Sequence, residues 1–435
     1  MFRLGAEAAK RADPDARVAN AGFAGITLGL VDRLRSHEYD DGKRPLDFID
    51  VLSVHTYTGP KSPERSVVDT NVDRSGNVEG EVSHEEHLRR LVHWRDEHRP
   101  AMPIWLTETG YDSRGPRGVT ERLQAAYNVR NTTMMLAAGI DSVHIFREVG
   151  SSDGLYAASG LQRNDLSFKP SWFAVATLIR QVDGVQRMHR LPHEHDDVYL
   201  YAFERGGKWT VAAWAVETEV PLGLDLGAAE VTYTFGRRAP LADAAALVLT
   251  DMSVYISEIE NTAPLLALIE RSQAEHDRWR RERARLAEAR AYLFDFGSMQ
   301  HVGATDVGGP RRFTPVIAEH VYRPERGHGF VDQPARQDND AHWIASPTQR
   351  SSTRVDGGAR FRIDLEPGRY DLSMNVRPTG AAATVYLETG DGQSASLAFT
   401  RDDTWADRAI DVTGDALVLR FGSMADIAYI RLVSR

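Results

Sequence analysis

The stretch Pro103-Ile104-Trp105-Leu106-Thr107-Glu108-Thr109-Gly110-Tyr111-Asp112 decides the fold. Pro103 opens it, Ile104, Trp105 and Leu106 supply an apolar body, and Gly110 closes it. A short buried strand is expected, delivering Glu108 to its C-terminal end. In barrels of alternating strands and helices, catalytic side chains gather at that rim. A glutamate there suits sugar chemistry as a nucleophile. The plainer reading is a loop-flanking glutamate, so the surrounding chain has to decide.

Working outward, residues 1 to about 180 alternate between helix and strand. Leu4 to Arg11 reads as helix, Asp13-Pro14-Asp15 as a turn, and Arg17 to Ala21 as a short strand. Thr27 to Ser36 is an amphipathic helix with Leu28, Val31 and Leu34 on one side. Phe48 to Tyr57 is a second strand whose nearly unbroken Ile49, Val51, Leu52 and Val54 suit burial on both faces. Glu85 to Arg99 is helix, then comes the strand of Glu108. Leu123 to Ala138 is helix, stopped by Gly139. Ser142 to Phe146 is strand and Ser171 to Val182 helix. This alternation means parallel strands and an α/β architecture.

From about 183 the texture is all-β. Val198 to Phe203 and Trp209 to Val216 form a hairpin around Gly206-Gly207, and further strands run to Ile256. Residues 262 to 290 are strongly helical, read as a solvated connector rather than a partner-binding helix. From Tyr292 onward, short strands separated by turns such as Pro367-Gly368 indicate a sandwich of two sheets. The expected fold is therefore α/β plus all-β, divided as 1–182, 183–260, 261–291 and 292–435.

Bulk properties narrow the function. At 435 residues the chain exceeds one compact core. Its net charge of -10 provides no basic excess to neutralise phosphates, so nucleic acid is not an expected partner. There is no cysteine, which rules out disulfides and thiolate metal sites. The absence of an apolar run of about 18 residues argues against a membrane span. Met1 to Arg11 lacks the apolar core of a secretory signal. The run His193-Glu194-His195-Asp196-Asp197 suggests a metal site, but a polar loop is the better reading. The histidine spacing of zinc hydrolases is absent, as is any phosphate-binding glycine loop, so no metal and no cofactor are expected.

On the second strand, Ser53-Val54-His55-Thr56-Tyr57 places His55 and Tyr57 on one face, at the same rim as Glu108. A phenol beside a carboxylate can orient it and keep it ionised. A histidine can bond the same carboxylate or a sugar hydroxyl. Either is otherwise an ordinary strand-end residue.

These residues carry a resemblance. Asp50 to Tyr57, then Ile104 to Tyr111, then Gly139 to Phe146 and Lys169-Pro170-Ser171-Trp172 resemble the second half of a clan A glycoside hydrolase. The resemblance implies strands five to eight of a (β/α)8 barrel, with Glu108 as nucleophile and His55 and Tyr57 as its strand-six neighbours. Trp105, Tyr111, Phe146 and Arg147 become candidates for substrate contact, Phe146 standing where the clan often has a tryptophan. Arg147 would meet an acidic or hydroxyl-rich group. The clan's acid/base, a Glu after Asn on strand four, has no counterpart, because no Asn-Glu pair occurs. A truncated chain is the expectation, with an open, apolar inner face and a tendency to self-associate. Residues 292 to 435, with Tyr292 to Gly297, Phe313 to Val316 and Gly327 to Phe330, resemble galactose-binding-like or malectin-like sandwiches. There Trp343 and Trp405 are candidate glycan contacts. The implied function is a retaining glycosidase, extracellular or periplasmic, with a carbohydrate substrate. The alternative is a non-catalytic carbohydrate-binding protein.

Overall fold

The computed structural model describes all residues except 1, 27, 70–80, 151–155, 289, 297–313, 317–321, 332–334, 339–351, 391–393 and 402. Its contacts divide the chain into two compact units. The first comprises Met1–Ile26, Arg33–Val68 and Val82–Trp279. The second comprises Thr27–Asp32, Asp69–Glu81 and Arg280–Arg435.

The chain begins with helices α1 (Phe2–Ala12) and α2 (Leu28–Ser36), then strand β1 (Leu52–His55). A short pair, β2 (Val67–Asp69) and β3 (Glu81–Ser83), leads into α3 (His84–His98). Next come β4 (Ile104–Thr109), α4 (Glu121–Ala138), β5 (Ser142–Ile145) and α5 (Pro170–Val182). Strands β1, β4 and β5 form a parallel sheet in that order. Leu52, Val54, Ile104 and Leu106 are wholly buried on one of its faces. The other face carries Ser53, Trp105, Thr107, Ser142 and His144, and there Ser53 Oγ and Thr107 Oγ1 lie 2.8 Å apart. This second face is thus mostly polar, because the period-2 alternation gathers the aliphatic residues on the first.

Two expected strands differ from their sequence reading for identifiable reasons. Pro45 starts a 3-10 turn over Pro45–Phe48, and the Arg44 N–H donates to the Asp47 carboxylate at 2.8 Å, so β1 starts only at Leu52. Between Arg17 and Ala21 only the isolated bridge Ala19↔Val51 forms. Asn20 replaces the ladder with its side chain, accepting the Ser53 N–H at 2.7 Å and donating to the Ser53 carbonyl at 2.8 Å. A second bridge, Phe23↔Val54, keeps this segment parallel beside β1.

The rest of the first unit is mostly antiparallel. Its strands are β6 (Met188–Leu191), β7 (Val198–Arg205), β8 (Lys208–Ala215), β9 (Val220–Pro221), β10 (Ala229–Tyr233), β11 (Arg238–Leu241), β12 (Val248–Leu249) and β13 (Val254–Ser257). Six of them make one sheet in the order β11-β10-β13-β8-β7-β6. The β7–β8 hairpin turns on Gly206 and Gly207 at φ 59° and 78°, a left-handed pair that glycine adopts without steric cost. Helix α6 (Ala263–Glu288) follows, with most of its described residues exposed. Its Leu265 and Ile269 are buried in the core beneath this sheet. Trp279 donates to Glu86 at 3.3 Å and lies under the Arg89 guanidinium, 5.3 Å from it.

The second unit contains β14 (Ala291–Phe296), β15 (Thr314–Val316), β16 (His328–Phe330), β17 (Ala335–Asp338), β18 (Ser352–Val355), β19 (Arg360–Asp364), β20 (Gly368–Pro378), β21 (Ala382–Thr389), β22 (Ser394–Thr400), β23 (Trp405–Val412), β24 (Ala416–Phe421) and β25 (Ala425–Ser434). One sheet is built around β25, which pairs with β20 along its whole length and with β18 and then β14 on its other edge. The other sheet runs β16-β19-β24-β21-β22. Phe296, Phe330, Phe361, Phe399 and Phe421 fill the core that both sheets share. Each such side chain contributes about 1.5–3 kcal/mol on burial.

Candidate active site

Register aims Glu108. The pairs Leu52↔Ile104, Ser53↔Trp105 and Val54↔Leu106 are followed by His55↔Glu108, so β4 gains one residue against β1. Against β5 the irregularity lies between Leu106 and Thr109. Because side chains alternate, a one-residue slip turns Glu108 onto the same face as Ser53, Trp105 and His55.

There Glu108 Oε2 accepts a 2.9 Å hydrogen bond from the Tyr57 hydroxyl and lies 3.5 Å from His55 Nδ1. Its Oε1 accepts no hydrogen bond from any described residue. The side chain is 34% exposed, against 19% for His55. Tyr57 lies beyond the end of β1 yet reaches the same oxygen as His55. Burial first, and the bond to Glu108 second, push the Tyr57 phenol far above its ordinary range, so it stays a neutral donor.

Close approaches fix this geometry. A Cβ on Gly22 would stand 2.2 Å from His55 Nε2, and one on Gly110 would stand 2.4 Å from the Phe146 carbonyl oxygen. The Phe146 N–H donates to the Thr109 carbonyl at 2.6 Å, seating the end of β5 beside Glu108. The Phe146 ring lies 5.2 Å from Tyr156, which lies 5.8 Å from Tyr57. The Arg147 guanidinium stands 5.1 Å from the Phe146 ring centre. Phe146 and Arg147 thus adjoin the Glu108 cluster.

Other sequence candidates lie elsewhere. Tyr111 is a core residue, 3% exposed, with its hydroxyl 2.5 Å from Thr58 Oγ1 and its ring 5.1 Å from Tyr127. It holds the segment after Tyr57 and presents no surface to a ligand. Trp105 sits three residues earlier on β4, about 10 Å along the strand from Glu108. There it faces Arg17 and His144. Trp343 lies outside the described residues, and of Trp405 only the backbone, paired with Asn375, is described. Both nitrogens of His193 are engaged by backbone, Nε2 at 3.1 Å from the Leu222 carbonyl and Nδ1 accepting the His195 N–H. No grouping of three or more metal-ligating side chains occurs among the described residues.

Sequence reasoning missed several polar groups. Asp112 accepts a backbone bond from Tyr156, and its carboxyl is held above its ordinary range chiefly by burial. Lys169 is 1% exposed and donates to the Ala158 carbonyl at 2.6 Å and Ser113 Oγ at 3.0 Å, burial lowering it to about 8. Glu64 receives Arg130 at 2.8 and 2.5 Å and the Trp214 indole N–H at 2.8 Å, all buried. No local motif marks Glu64, since these partners lie 66 and 150 residues away along the chain.

No protein-family model matches the sequence, and no curated protein matches it. Solved structures that resemble the chain include glycoside hydrolases and a carbohydrate-binding module. A family 39 glycoside hydrolase from Bacteroides cellulosilyticus is 20% identical with a TM-score of 0.47, covering 59% of this chain and 53% of that one. A β-glucuronidase from Bacteroides uniformis is 10% identical with a TM-score of 0.30, covering 100% of this chain and 50% of that one. A carbohydrate-binding module of Cellvibrio mixtus lichenase 5A, in complex with cellotriose, is 11% identical with a TM-score of 0.19, covering 23% and 88%. The chain spans about half the length of the two enzymes. These likenesses are loose, and the functional reading rests on the geometry around Glu108.

Proposed function

We propose that residues 1–182 are the second half of the (β/α)8 barrel of a retaining glycoside hydrolase, with Glu108 as nucleophile. The observation that carries this is the asymmetric grip on Glu108 at the end of a parallel strand. One carboxylate oxygen is held by Tyr57 with His55 beside it, and the other accepts nothing from the described residues. A nucleophile needs this division, with one oxygen anchored and its partner directed at the anomeric carbon. Segment 19–23, β1, β4 and β5 then correspond to strands five to eight.

In the first step Glu108 Oε1 bonds to the anomeric carbon as the glycosidic C–O bond breaks. The leaving oxygen takes the electron pair and a proton from a second carboxyl. In the second step water displaces Glu108 from the anomeric carbon and gives a proton to that same second carboxylate. That second carboxyl belongs to a complementary half barrel, and without one the open sheet favours self-association. Residues 183–260 serve as a structural sandwich, α6 connects it to the last domain, and 292–435 is a galactose-binding-like module. A polysaccharide or oligosaccharide substrate implies action outside the cytoplasm.

The test needs no proton donor. Dinitrophenyl 2-deoxy-2-fluoroglycosides lose dinitrophenolate without protonation as the carboxylate bonds to C1, and the fluoro sugar stays trapped on the enzyme. Intact mass spectrometry of the chain with both anomers of a sugar panel should show one added fluoroglycosyl group, located on Glu108 and absent from Glu108→Gln. No adduct with any member, or an equal adduct on Glu108→Gln, sinks the reading.

A further inference from the structure

We propose that the sugar bound at Glu108 carries an oxyanion, a uronic carboxylate or a sulfate ester, and that Arg147 receives it. This rests on the reading of Glu108 as the sugar site. Arg147 leaves β5 directly after Phe146, and its backbone is pinned where its carbonyl accepts the Leu161 N–H at 3.0 Å. Its guanidinium stacks near the Phe146 ring and makes no ion pair or hydrogen bond with any described residue. Its Nε is shielded from solvent and donates to none of them.

An idle buried nitrogen separates Arg147 from exposed arginines of this unit such as Arg17 and Arg114. Arg130 is paired with Glu64, Arg163 with Glu121, and Arg122 with Asp251. The adjacent Glu148 makes no ion pair with Arg147, and its carboxylate accepts from Gln162 at 3.4 Å. A guanidinium with an idle buried donor is a poor resting state until an acceptor arrives. Its planar fork matches carboxylate and sulfate oxygens. Arg147, Phe146, Tyr156 and Tyr57 also form a continuous series of contacts ending on Glu108. A sugar lying against those rings with its anomeric carbon at Glu108 would direct a ring substituent toward Arg147.

The experiment is calorimetric titration of the full chain at fixed ionic strength with matched pairs. These are glucuronate against glucose, galacturonate against galactose, and galactose 6-sulfate as the sulfate arm. At least one acidic member should bind about tenfold tighter than its neutral partner, the size of a charged hydrogen-bonded pair. In Arg147→Gln the acidic and neutral affinities should converge, and Arg147→Lys should recover only part of the preference. A circular dichroism melt checks that both variants fold. Should they not, the preference in the unmodified chain must fall as salt rises. Equal affinity for acidic and neutral sugars, or a preference that survives Arg147→Gln, overturns the proposal while leaving Glu108 as the sugar site. No binding by any sugar overturns both.

Discussion

At the scale of single residues, function turns on which atoms are held and which are left over. Tyr57 supplies the hydrogen bond seen on Glu108, so Tyr57→Phe should slow trapping by a fluoroglycoside about ten- to hundredfold. The same change should alter folding stability by less than about 1 kcal/mol, because the carboxylate is partly hydrated. An unchanged trapping rate would remove Tyr57 from the mechanism. The opposite split is expected at Glu64 and Arg130, both side chains 1% exposed or less. Removing one partner strands a buried charge, so Arg130→Met should cost about 3–5 kcal/mol in urea unfolding. The pair Glu64→Leu with Arg130→Met should recover much of that. The grouping of Glu108, His55 and Tyr57 was legible in sequence because strand ends collect side chains at one rim. Tyr111 was not, because proximity in sequence to Glu108 says nothing about which way a loop turns. Its partners Thr58 and Tyr127 turn it into the core.

At the scale of elements, helices were easier to read than register. Helix α4 ends where Gly139 takes φ 102°, as its sequence indicates. At its start the Thr120 side chain accepts the Leu123 N–H at 3.2 Å. Thr120→Ala should therefore cost about 1 kcal/mol, read as a lowered urea midpoint at constant slope. The slip that aims Glu108 was hidden, since Ile104 to Thr109 carries no glycine or other sign of an extra residue. Gly110 ties two strands together. Gly110→Ala would drive a methyl into the Phe146 carbonyl, so it should lower trapping at Glu108 and cost about 1–3 kcal/mol. Wild-type behaviour in both assays would show that the end of β5 does not depend on this contact.

At the scale of the whole molecule, each unit has a core of its own, so calorimetry should resolve two unfolding transitions. One should be acid-sensitive. Burial holds the imidazoles of His84 and His87 down at about 4, against 6.5 when exposed. Between those values the unfolded chain binds protons that the folded chain refuses, so stability is lost as pH falls from 6.5 towards 4. The loss should be about 1–3 kcal/mol per histidine, and His84→Gln with His87→Gln should flatten it. An equal pH slope in that variant would clear both residues. The broad order of parallel and antiparallel regions was readable from the texture of the chain, whereas the polar contacts joining distant segments were not. One of those distant joins governs how the second unit comes into being. Strand β25 comes after β14, β18 and β20 in the chain, and all three pair with it. A ribosome therefore delivers these three strands before the one that unites them. Until residues 425–434 emerge, their edges await a partner, and chaperones have a defined interval in which to shield them.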